Sequence, residues 1–154
     1  MPTLYAYTKI VDQITTHSLR LPDVDQGEQA GQELATLADG RTVVVLFDGF
    51  VLPSEQPAAI AASIELLPSP LPDLLREQIK QVSPHTQLID ARMIAMIRAR
   101  YTQEDENYFS RIGVGAAMGM YAPTSDEIQE MTVFGEFVES VRQWGRTERA
   151  KLGL

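Results

Sequence analysis

Residues 83–111, SPHTQLIDARMIAMIRARYTQEDENYFSR, decide how the chain divides. Ser83-Pro84 predicts a helix start. A serine oxygen can accept from an unpaired N–H of the first turn, and proline at the first helical position gives up an N–H that has no partner there. Ile89, Met93, Met96 and Ile97 then fall within about a third of the helix circumference. Asp90 and Arg100 interrupt that apolar face, and Arg98 points away from it. Thr102-Gln103-Glu104-Asp105 fits a capping box, with acids at the positive end of a second helix. Tyr108, Phe109 and Ile112 give this helix its apolar side, and Gly113 is the expected stop. Two helices bent near Tyr101 and Thr102, or one kinked helix, satisfy the pattern.

Upstream, Thr42 to Phe47 is β-branched and apolar between Asp39-Gly40 and Asp48-Gly49. Asp-Gly pairs favour tight turns because glycine supplies the positive φ they need. Residues 33–52 therefore read as a three-stranded antiparallel meander. Its middle strand has so few polar positions that both faces need cover, from this chain or another. Residues 1–32 are less committed. Leu4, Ala6 and Thr8 alternate with Tyr5, Tyr7 and Lys9, which permits a strand. Ile14 to Leu21 permits another, and residues 22–28 form an acidic turn-rich loop. The Asp23-x-Asp25 start does not make a calcium loop, since Gly27 stands one place early and the twelfth position is Leu34. Residues 53–72 are a proline-punctuated connector with a short helix at Ile60, Ile64 and Leu67, or a strand at 63–67. Residues 71–82 read as a helix with Leu74, Leu75, Ile79 and Val82 on one side.

Downstream, GVGAAMGMYAP at 113–123 is a loop of small residues. It lacks the preceding strand and third glycine of a dinucleotide fingerprint. Thr124 to Glu127 open a last helix. On it Met131, Phe134, Phe137, Val138, Val141 and Trp144 span about 140° of arc. The 131/134/138/141 spacing follows a 3-4 pattern too short for a free coiled coil. These six side chains form either the helical core or a self-association face. Arg142, Arg146, Arg149 and Lys151 complement the negative helix end.

The 154 residues suit about one domain, and the net charge of −8 disfavours nucleic acid and anionic membranes as partners. There is no cysteine, so no disulfide, thiolate metal site or cysteine nucleophile. The N-terminal MPTLYAYTK has no charged leader followed by an apolar block, and no run of residues is apolar for long enough to span a bilayer. His17 and His85 have no ligand at helical spacing, and Glu104, Asp105 and Glu106 are explained by the helix dipole. No catalytic motif, metal site or cofactor loop is present in the sequence pattern. The expectation is a non-enzymatic α+β protein: an N-terminal arm and meander (residues 1–55), a connector (56–82) and a helical scaffold (83–154).

Two stretches carry a family resemblance. Met96 to Glu106, MIRARYTQEDE, resembles an arginine–tyrosine–hydroxyl–acidic stretch in small proteins of phage and prophage tail modules. Phe137 to Arg146, FVESVRQWGR, with the closing Lys151 to Leu154, resembles the end of the same proteins. The likeness covers residues 33–154, most firmly from 83, and departs at Gly113 to Pro123. It implies a protein of the virion tail, made in the host cytoplasm, whose partners are fibre or baseplate proteins or further copies of itself. The role implied is fibre attachment or support at the baseplate. The alternatives are a fibre assembly chaperone and, outside phage, a host adaptor domain. Open strand edges invite added strands. The expected partner-binding residues are therefore Tyr5, Tyr7, Val43, Val45, Phe47 and Phe50, on an arm that is mobile until a partner orders it.

Overall fold

The computed structural model describes residues 1–154. In chain order the elements are β1 (3–8), β2 (10–11), β3 (16–17), β4 (31–36), β5 (41–46), α1 (58–61), β6 (65–66), α2 (73–82), α3 (84–98), α4 (103–117) and α5 (125–151). Small antiparallel sheets precede a run of helices, an α+β architecture. No helix is long and apolar enough to cross a membrane.

Two compact units divide the chain: residues 1–88 with 148–154, and residues 89–147. The expected boundary stood at residue 83. The first turn of α3 and the last residues of the chain belong with the sheet.

In the sheet unit the strand order is β4-β5-β1-β6. The hairpin β4–β5 forms as expected. Leu37 N donates to Arg41 O at 2.7 Å, and Gly40 sits at φ 85°, where a side chain would strain the turn. The third meander strand does not form. Asp48-Gly49 does turn, with Phe50 N donating to Phe47 O at 3.2 Å. However, the other edge of β5 is already taken by β1, paired from Thr3–Leu46 to Thr8–Arg41. Residues 3–8 of the N-terminal arm thus form an inner strand of the sheet. Its alternation puts Tyr5 and Tyr7 on one face and Leu4 and Ala6 on the other, and each face has cover. Tyr7 and Val44 pack with Leu19 and Ile60. Leu4 lies against Gly153, where a Cβ would overlap the leucine side chain.

The edges of this sheet are β4 and the two-residue β6, whose residues are exposed. On one side β6 pairs with Tyr5 and Ala6, Leu67 N donates to Leu4 O at 2.9 Å, and Thr8 N donates to Ser63 Oγ at 3.1 Å. On the other, β4 carries a bulge between Glu33 and Ala35, α2 packs beside it, and His85 Nε2 donates to the Glu33 carbonyl at 3.0 Å. Bulges and covering helices are the usual devices against strand addition. They cover part of the β4 edge, which the docking expectation took to be open.

In the helical unit the capping box at Thr102 and Asp105 forms as read, so α3 and α4 are separate helices. Helix α4 runs through Gly113 and Gly115 to Ala117 rather than stopping at Gly113. A helical glycine costs only about 1 kcal/mol relative to alanine. The true stop is Gly119 at φ 68°, with Met120 N bonding Gly115 O at 2.9 Å and Gly119 N bonding Ala116 O at 3.1 Å. That 6→1 and 5→2 pair is a Schellman motif.

Candidate functional site

The residues expected to meet a partner through the sheet are placed mostly inside it. Val43 and Val45 are each 0% exposed and Tyr7 is 1% exposed, so none can touch another chain while the sheet is intact. Tyr5, Phe47 and Phe50 are partly buried. The β-branched composition that suggested a sticky strand is that of an inner strand covered on both faces.

The six α5 residues divide differently. Val141 is buried, whereas Met131, Phe134, Phe137, Val138 and Trp144 are only partly so. Within residues 89–147 the buried positions are Ile89, Ile112, Val141 and Gly145. At Gly145 a Cβ would run into the Met93 thioether, so small size lets α3 and α5 approach there. Aromatic rings hold the rest. Phe109 stacks on Phe134 with centroids 4.9 Å apart, and Tyr101, at the elbow between α3 and α4, meets Phe134 edge-on at 5.0 Å. The Arg100 guanidinium lies 4.7 Å from the Phe137 centroid and 5.4 Å from that of Tyr101, cation–π distances.

Glu127 closes the other end of the α4–α5 pair. Its carboxylate accepts from Thr124 N at 2.8 Å and from the Tyr121 and Tyr108 hydroxyls at 2.9 and 3.1 Å. Thr124 Oγ1 accepts from Glu127 N at 3.2 Å, completing a second capping box. The backbone N–H of Thr124, then the Tyr121 hydroxyl, hold the Glu127 carboxyl below its ordinary 4.5. The backbone N–H and hydroxyl of Thr102 likewise hold Asp105 below 3.8. A lowered folded-state value means stability that is present above the unfolded value and lost as pH falls through the folded one. The start of both helices should therefore loosen on acidification below about pH 4. Amide signals of residues 103–106 and 125–128, followed by NMR between about pH 6 and 2, should report it. The pair Asp105→Asn and Glu127→Gln should flatten that dependence.

Beyond these caps the helical unit presents an apolar tip. Met118 is 67% exposed and Met120 78%, with Val114, Tyr121 and Ile128 exposed beside them at the end of α4, in the turn and at the start of α5. Reading residues 113–123 as a loop of small residues hid this. The signal lay in three large apolar side chains, Met118, Met120 and Tyr121, set among glycines and alanines. No group of three or more His, Asp or Glu side chains is placed to hold a metal ion. Searches against protein-family profiles, curated proteins and solved structures find no match for this chain.

Proposed function

We propose that this protein is a non-enzymatic structural component of a bacteriophage tail, residing in the virion and helping to attach or support fibres at the baseplate. The resemblance of residues 96–106 and 137–154 to small tail-module proteins supplies the setting. The exposed tip around Met118 and Met120 carries the docking role, because a cluster of large apolar side chains left in water marks an interaction surface. Methionine suits such a surface, being flexible enough to fill irregular gaps in a partner. Docking thus runs through the helical unit.

Quantitative mass spectrometry of purified particles tests this reading. The protein is expected at a fixed ratio to baseplate proteins, and Met118→Ser with Met120→Ser should reduce that ratio without unfolding the chain. Absence from particles together with capture on newly made fibre protein would replace structural component with assembly chaperone. Absence from both would remove the phage reading.

A further inference from the structure

The helical unit holds an open cavity of about 500 Å³ beside Tyr101 and Phe109. Its other wall is a single stripe of α5: Asp126, Gln129, Glu130 and Val133. The spacing i, i+3, i+4, i+7 puts these four on one side of the helix. Two aromatic rings thus face two carboxylates, an amide and an aliphatic side chain.

Neither carboxylate has a cation in this chain. Asp126 and Glu130 take part in no ion pair, and α5 contains no basic residue before Arg142. Carboxylates at i and i+4 repel one another. The helix dipole accounts for Asp126 in the first turn, but its effect fades by the second turn, where Glu130 stands. The same ring cluster already receives a guanidinium, since Arg100 lies against Phe137 and Tyr101. Phe109 and Val133 on the cavity side offer a similar apolar surface with acids at its rim.

We infer that this cavity receives an arginine side chain from a partner protein. The guanidinium plane would rest against the Tyr101 and Phe109 rings, with its N–H groups directed at Asp126 and Glu130 and its aliphatic stem along Val133. Arginine fits better than lysine. Its planar, weakly hydrated head stacks on rings and forks between two carboxylates, whereas an ammonium is a compact, strongly hydrated charge. A peptide segment fits better than a free cation. The cavity opens broadly to solvent and exceeds what one guanidinium fills, leaving room for neighbouring residues of the partner. This assignment rests on the docking role proposed above for the helical unit and adds a second contact surface to the tip at Met118 and Met120.

The test is an NMR titration of the full chain, following the Val133 methyls and the Phe109 and Tyr101 ring protons. The probes are a blocked Gly-Leu-Arg-Leu-Gly peptide, its citrulline counterpart and guanidinium chloride at matched ionic strength. Saturable shifts with the arginine peptide are expected, with affinity about tenfold weaker for citrulline and for guanidinium alone. The variant Asp126→Asn with Glu130→Gln changes only exposed side chains and should weaken arginine-peptide binding by about tenfold as well. Equal binding of the citrulline peptide, no shift at these residues, or undiminished affinity in the double variant would overturn the assignment. Equal affinity for guanidinium alone would overturn the peptide part of it. These results do not depend on whether the protein travels with the particle, so failure here and failure of the tail assignment are separable.

Discussion

Ile60→Ala should cost about 2–5 kcal/mol of stability, toward the upper half of that range. Ile60 is 0% exposed although it lies in a helix of only four residues with no side-chain cap. It packs with Tyr7, Leu19 and Val44, so its removal opens a void where two inner strands meet two loops. The strands cannot close that void, because β1 and β5 are fixed by a six-residue antiparallel ladder. A poorly collapsible site pays the cavity term in full. Urea unfolding should show a lower midpoint with an unchanged slope. Ile14→Ala, at a position 98% exposed, should shift the midpoint by no more than about 0.5 kcal/mol equivalent. A loss at Ile60 as small as that would mean that the connector is not part of the core.

Gly31→Ala should be nearly as damaging, about 3 kcal/mol, at the top of the usual overpacking range. A Cβ there would overlap the Val45 carbonyl oxygen and approach Leu46 Cα at 3.1 Å. Gly31 pairs directly with Leu46, so the obstacle is the backbone of the neighbouring strand rather than a side chain that can rotate away. The strands must separate, and the hydrogen bond from Phe47 N to Ala30 O at 2.8 Å goes with them. Gly135→Ala should act in the opposite direction. A Cβ at this helical position meets nothing within 4 Å, so alanine should stabilise by about 0.5–1 kcal/mol. A raised thermal midpoint for Gly31→Ala would contradict the first account, and a lowered one for Gly135→Ala the second.

Local chemistry was legible in the sequence wherever short-range contacts decide. The Thr102–Asp105 capping box forms as read and Leu4 to Thr8 lie in a strand, while Asp39-Gly40 turns through a three-residue connection between Leu37 and Arg41 rather than the two-residue turn expected. Long-range pairing was not legible. Nothing in residues 1–8 says that they will occupy the edge of β5 that the residues after Asp48-Gly49 were expected to take. The helix start at Ser83-Pro84 is correct for a different reason from the one inferred. The Ser83 hydroxyl is buried without a hydrogen-bond partner, and the Thr86 hydroxyl instead bonds the Ser83 and Lys80 carbonyls at 2.9 and 2.6 Å. Of the four residues placed on the apolar side of α2, only Ile79 is fully buried, and Leu74 is exposed. Periodicity locates a face but not how deeply its ends are covered. The cavity at Tyr101 and Phe109 joins residues from two helices and an elbow, and no sequence window spans it.

The sheet unit is assembled from both ends of the chain, so residues 89–147 leave it at Leu88 and re-enter it at Glu148. In polymer terms the helical unit is a loop closed by the sheet unit. If that loop were a random coil of roughly sixty residues, bringing its ends together would cost on the order of 3–4 kcal/mol of chain entropy. Folded helices replace the coil by an ordered path and change that cost, whatever surfaces the units present to each other. The two units are therefore thermodynamically linked through connectivity alone. A mutation that melts the helices should lower the melting temperature of the sheet even where it touches no residue of the sheet.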